Sequence, residues 1–284
     1  MKLVLSRKGF DSSSGGCPSP IFPDGSMVAL PIPDRQSRIT YRDLTFDEVN
    51  LATLVRDLTG DRRYLKGTAH LDPDLEESSL PRLWGWRPLL GQTGAAQTHL
   101  SNQGVGSGDL FLFFGLFRPV EFHRSRWRFV PKSSSVHAIW GWLQVGEVQT
   151  VDELADDDLP WAAYHPHFCR PPDPRNTLYV ARNSLVLNGR TTDLPAAGAF
   201  RQLRPELRLT APRATRTSQW RLPASLFPSR GRKALTYHGN HSRWRRSGNH
   251  CYLDAVGRGQ EFVLDTIEYE GAVEWIEALV RNRN

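Results

Sequence analysis

Arg7, Lys8 and Asp11 fall within five residues of one another, directly after an apolar run, Lys2 to Ser6, that reads as a first strand. Two cations at a strand end can hold a phosphate, while a carboxylate beside them orients a ribose hydroxyl or takes a proton. Ser12 and Ser13 add hydroxyls, and Gly15 and Gly16 follow. Backbone N–H groups in such a loop are free to face an anion. No Gly-Lys-Ser/Thr closes the loop and no GxGxxG opens a helix, so neither nucleotide fingerprint applies. A surface loop that is merely rich in glycine and serine is the competing reading.

Other candidates lie far along the chain. Gln97, His99 and Gln103 sit in a second glycine-rich run, Gly91 to Gly108, almost without charge. Amide side chains offer paired donors and acceptors, which suits reading a base edge, and His99 suits catalysis. His238 occurs in a stretch without carboxylates, where an adjacent phosphate would favour its imidazolium form. Gln260 and Glu261 enter a strand after Gly257-Arg258-Gly259, with Gln260 read as a substrate contact and Glu261 as a catalytic carboxylate. His165 and His167 share a face if extended, and with His70 or Asp72 they could complete a metal site. Lacking HxxxH or a carboxylate at ligand spacing, the sequence assigns no metal, and the cofactor stays open. Cys17 reads as an inert thiol.

Several of these stretches have a family likeness. Ser6 to Ser13, Gly15-Gly16, Pro18 to Ile21 and Asp24-Gly25 resemble the opening motif of the nucleotide modification associated domain 3 family. Leu178 to Ala181 and Gly259 to Val263 do so too, and the resemblance spans nearly the whole chain. It implies a role around modified bases or nucleotides in bacteria and phages, and carries over no established reaction. Residues 108–148 also resemble the paired strands of PUA-like barrels such as EVE domains, which bind modified or flipped bases.

The elements that must position these residues are partly legible. The run Asp109 to Phe117 predicts a strand buried on both faces, and Val136 to Val148 a second. Met27 to Pro31 and Arg38 to Tyr41 read as shorter strands. Thr45 with Glu48 predicts a capping box opening an amphipathic helix that ends at Gly60. A closing amphipathic helix is predicted from about Thr266 to Arg281. The expected fold is α+β, with a mixed, mostly antiparallel sheet or a PUA-like barrel and an amphipathic helix toward each terminus. One domain is expected over residues 1–284, with a basic part at about 207–253.

The chain has 284 residues, 39% of them hydrophobic and nine of them Trp, with a net charge of +6. That composition suits a packed core and favours anionic partners. Three scattered cysteines without a CxxC pair, and no leader-like apolar segment, predict a cytoplasmic protein with no membrane association. With no dinucleotide or iron-binding pattern, group transfer or hydrolysis at a nucleotide is read ahead of redox chemistry; a non-catalytic PUA-like reader of modified DNA or RNA is the alternative.

From Leu207 to Leu253 there is no carboxylate. Arg230, Arg232, Lys233, Arg243, Arg245 and Arg246, with Trp244 as a stacking surface, are the expected nucleic-acid contacts in that window. Binding to DNA or RNA should therefore weaken steeply as salt is raised. Changing Arg243, Arg245 and Arg246 to Ala should flatten the slope of log K against log salt in a fluorescence-anisotropy titration; an unchanged slope would count against this face.

Overall fold

The computed structural model describes every residue except Asp156, Arg230, Arg258, Glu270 and Asn284. Its centre is a sheet built on the two long apolar runs. Strand β1 (Lys2–Arg7) pairs in parallel with β3 (Leu110–His123), which pairs antiparallel with β4 (Val136–Thr150). Six successive residues of β3, Leu110 to Gly115, are buried, as a strand covered on both faces requires. Beyond β4 follow β5 (Thr177–Ala181) and then β2 (Leu89–Gln92) at one edge. At the other edge β9 (Glu261–Asp265) pairs antiparallel with β1, setting Glu261 opposite Ser6.

The sheet is mixed and mostly antiparallel, and it does not close into a barrel. The strands likened to a PUA-like barrel do pair, but no backbone ladder joins β2 to β9. Side chains bridge that gap instead: Gln92 Nε2, on one edge, donates to Glu261 Oε1, on the other, at 2.6 Å. A separate three-stranded sheet, β6 (Gln219–Pro223), β8 (His250–Asp254) and β7 (Trp244–Ser247), carries much of the basic part.

Helix α1 (Leu51–Thr59) starts later than the sequence predicts. Thr45–Phe46 and Val49–Asn50 form a tight hairpin with Asp47 at φ 49°, and Asn50, not Thr45, caps the helix through its side chain. Leu51, Ala52, Leu54 and Val55 face a second core around Phe10, Tyr41 and Phe46, where each fully buried Leu or Val contributes about 1.5–3 kcal/mol. Met27 to Pro31 and Arg38 to Tyr41 are irregular rather than strands. The short strand is Ile32–Pro33, paired with Ala69–His70. Gly94–Asn102 forms a helix, α2, inside the glycine-rich run Gly91 to Gly108. The closing helix α3 is Ala272–Arg281, preceded by a 3-10 turn at Thr266–Glu268. Among the described residues, no helix is long and apolar enough to cross a membrane.

His137, on β4, is buried, and its Nδ1 accepts a hydrogen bond from Trp220 Nε1 at 3.0 Å. Burial, reinforced by the nearby Arg7 cation, pushes the imidazole down from 6.5 to about 4. The unfolded chain thus takes up a proton before the folded one. Stability is full above pH 6.5 and falls as pH drops toward 4, by up to about 3 kcal/mol from this group. His137→Gln should flatten the difference in urea midpoints between pH 7 and pH 4.5; an unchanged pH dependence would remove His137 from the account.

Candidate functional site

The end of β1 delivers Ser6, Arg7 and Lys8 to the gap between the sheet's two edges. Lys8 is the centre of what collects there. Its Nζ lies 3.6 Å from Asp72 Oδ2 and 3.9 Å from Glu261 Oε1, with both carboxylate side chains almost fully buried. Glu261 Oε1 also receives Ser6 Oγ at 3.1 Å and Gln92 Nε2 at 2.6 Å, while Oε2 has no partner among the described residues. Asp72 Oδ1 accepts from the backbone N–H of Gly91 at 2.6 Å, tying the 70–74 segment to β2.

Three histidines surround Asp72. His70 Nε2 and His167 Nε2 stand 3.7 and 4.0 Å from Asp72 Oδ2, and His165 Nε2 stands 3.4 Å from Oδ1. The opposite ring nitrogens of two of them are fixed. His70 Nδ1 meets Asp34 Oδ2 at 2.8 Å, and His167 Nδ1 meets Asn176 Oδ1 at 2.5 Å. The Asn176 amide is itself oriented, because its Nδ2 donates to the His167 carbonyl at 2.9 Å. Gly91 is what lets the His167 ring lie against β2: a Cβ there would sit 2.2 Å from the imidazole.

The surroundings divide the two carboxylates. Burial raises Glu261 above the ordinary carboxylate range, and Lys8, Ser6 and Gln92 only partly offset it. Asp72, equally buried, is held well below that range by Lys8 and the facing histidines. Burial lowers His167 to about 3. His70 is raised: burial opposes its charge, but Asp34 and Asp72 on either side outweigh it. Asp34, bonded to His70, falls to about 2. A cleft of about 180 Å³ opens over this group, lined by Arg7, Lys8, Asp72, Gln92, His167 and Arg170 among others. The Nε atoms of Arg7 and Arg170 are buried without a hydrogen-bond partner among the described residues.

Of the residues singled out in the sequence, Arg7, Lys8, Asp11, Ser13 and Gln260 line this cleft, and Glu261 stands directly behind Lys8. Ser12 lines an adjoining cavity with Arg7, Lys8 and His137. Asp11 faces its own loop, accepting the N–H groups of Ser13 and Ser14, so those amides are not free for an anion. Gln97 is buried against Tyr179 and Ser101, and His99 packs on Tyr237. Those two, with Gln103 and His238, line neither cavity. His238 is fully buried, bonded to backbone through both ring nitrogens. Cys17 is buried, and burial pushes its thiol up to about 12.

In the basic part, Arg232, Lys233, Arg245 and Arg246 are exposed and Arg243 half-buried, while Arg230 lies outside the described residues. Arg243 and Arg245 line a groove on the small sheet that shares no lining residue with the cleft. The Trp244 ring is buried with its Nε1 donating to the His238 carbonyl, and so is not a free stacking surface; Tyr252, under the Arg245 guanidinium at 4.2 Å, is less covered. Asp34, Gln92 and Asn176 had no signal in the sequence, because their importance comes from partners distant in the chain. His70, Asp72, His165 and His167 were visible as possible ligands only.

The family model described as nucleotide modification associated domain 3 matches residues 2–265. The chain belongs to that family. Neither the curated proteins nor the solved structures give a match. The matched span contains every residue of this nucleotide modification associated domain's cleft, from Arg7 to Gln260, and Glu261 behind it.

Gly91→Ala should displace the His167 ring and cost about 1–3 kcal/mol through overpacking. Gly106, where a Cβ would meet nothing, is the control site. Thermal melts of Gly91→Ala and Gly106→Ala should differ, with only the former shifting the His167 ring resonances; equal melts and unmoved resonances would contradict the packing described.

Proposed function

We propose that the protein is an enzyme that modifies a nucleotide, or a base within nucleic acid, by group transfer or hydrolysis at the Lys8 cleft. The observation that carries this reading is the set of unlike ionisable groups gathered there from five distant segments. Two buried carboxylates are pushed in opposite directions, with a lysine between them and imidazoles facing the ionised one. Environments that separate neighbouring titratable groups in this way are characteristic of acid–base chemistry.

The roles follow from charge and position. Arg7 and Arg170, with guanidinium nitrogens lacking partners, suit a phosphate. Lys8, at the cleft floor, suits an oxygen that gains negative charge as a bond breaks, and Glu261 behind it keeps that ammonium in place. Asp72 and the imidazole nitrogens facing it suit holding an attacking water or hydroxyl. Titratable groups converging in an open cleft favour catalysis over the reader alternative, which needs an aromatic cage. The exposed arginines of the small sheet suit a nucleic-acid backbone, which would make DNA or RNA the carrier of the base.

Mass spectrometry of nucleosides and free nucleotides from cells with and without the protein tests the reading. A nucleoside or nucleotide whose level depends on the wild-type chain is expected. Asp72→Asn should reduce its formation rate by about 10²-fold or more, the scale of a lost acid–base group, with Arg170→Ala chiefly raising the substrate concentration needed. Identical pools with and without the protein, or a product undiminished in folded Asp72→Asn, would overturn it.

A further inference from the structure

We propose that His70 Nε2, His167 Nε2 and the Asp72 carboxylate form a binding site for one divalent first-row transition ion of the zinc, iron or manganese kind. The proposal concerns the cleft described above but rests on ligand geometry alone, so it stands or falls separately from the nucleotide chemistry.

The three ligand atoms lie within 4.8 Å of one another and all three side chains are buried. Metal–nitrogen and metal–oxygen bonds of about 2.0–2.2 Å put neighbouring ligand atoms about 3–3.4 Å apart. The observed separations of 3.7 and 4.0 Å from Asp72 Oδ2 therefore close on an ion with side-chain movements well under about 1 Å.

The second observation lies in what holds the rings. A metal-bound histidine donates its other N–H to a carboxylate or carbonyl, which fixes the tautomer and leaves the ligating nitrogen a bare lone pair. Both histidines have this support. Asp34 Oδ2 takes the N–H of His70 Nδ1. Asn176 cannot turn its amide without losing the bond from Nδ2 to the His167 carbonyl, so Oδ1 must face Nδ1 and accept from it. The nitrogen left for a metal on each ring, Nε2, thereby faces the one carboxylate oxygen. An imidazole kept only for packing needs no such pair of orienting acceptors.

His165 differs. Its Nδ1 faces the backbone N–H of His167 at 3.4 Å and so accepts, which leaves the proton on Nε2, toward Asp72 Oδ1. With its proton on Nε2, which makes no hydrogen bond among the described residues, His165 offers no lone pair toward Asp72 and is not a ligand. Two imidazoles and one carboxylate leave coordination positions open toward the cleft, as a catalytic rather than a structural site does. The nitrogen ligands select against magnesium and calcium, which prefer all-oxygen surroundings.

Isothermal titration calorimetry of chelator-treated protein with zinc, manganese and magnesium chlorides tests the site, and the d–d absorption of added cobalt(II) gives a second readout. One ion per chain is expected, with micromolar or tighter zinc affinity and magnesium at least 100-fold weaker. His70→Ala and His167→Ala should abolish the cobalt spectrum. Asp34→Asn, which touches no ion, should weaken zinc binding by about 10–100-fold. His165→Gln should bind within a few-fold of wild type. Absence of saturable zinc binding to the wild-type protein, or zinc and cobalt binding that survives both His70→Ala and His167→Ala, overturns the proposal. Neither outcome depends on any activity: absent binding is read on the wild-type protein, and surviving binding is read on variants whose circular dichroism matches the wild type.

Discussion

A single lysine ammonium between two buried carboxylates is the constraint on which the rest of this structure depends. Uncompensated buried charge is costly, and an ion pair removed from solvent holds only when its geometry and remaining hydrogen bonds are good. Lys8 meets that condition by drawing Asp72 from the 70–74 segment and Glu261 from β9 to the end of β1. Ser6, Gln92 and the Gly91 N–H donate to further lone pairs, leaving Glu261 Oε2 without a partner among the described residues. The gap between the sheet's two edges is thereby spanned by polar side chains, where a barrel would have used backbone ladders. A gap so spanned is also a cleft with its charges already in place.

That arrangement explains why fold and site cannot be separated here. The parallel pairing of β1 with β3 buries Leu3, Val4 and Leu5 and brings the next three residues to the sheet's end. Pairing of Ile32–Pro33 with Ala69–His70 sets Asp34 beside His70. The 3-10 turn Pro166–Cys169 presents His167 to β2, where Gly91 leaves room for the ring. Each of these is a short local choice, and each places one polar group against the same buried carboxylate.

Much of the sheet was legible because β1, β3, β4 and β9 are apolar runs of strand length, and apolar periodicity is the strongest local signal a sequence carries. Helix α2 was not, because Gly94 and Gly104 frame a segment with only Gln97 and Leu100 buried and so little amphipathic pattern. Thr45 misled because a capping sequence also suits a hairpin, and Asn50 five residues on competes better for the role. In the site, Arg7, Lys8 and Glu261 could be picked out as charges at strand ends. Asp34, Gln92 and Asn176 could not, since polar residues gain meaning there only from partners brought by tertiary pairing. The glycine-serine loop was the most conspicuous stretch of the sequence, yet Asp11 spends its carboxylate on that loop's own amides. The lysine just before it is what organises the molecule.

The central claim is that Lys8 compensates Asp72 and Glu261 together, and a double-mutant cycle on stability addresses it most directly. Urea unfolding at pH 7 would be compared for wild type, Lys8→Met, Asp72→Asn and the double variant. The account predicts that Lys8→Met alone costs about 3–5 kcal/mol, by leaving a carboxylate buried without its cation. The double variant should be markedly less unstable than the sum of the two singles, a coupling of 1 kcal/mol or more on the usual scale for residues in contact. Strict additivity, or a Lys8→Met chain as stable as wild type, would contradict it.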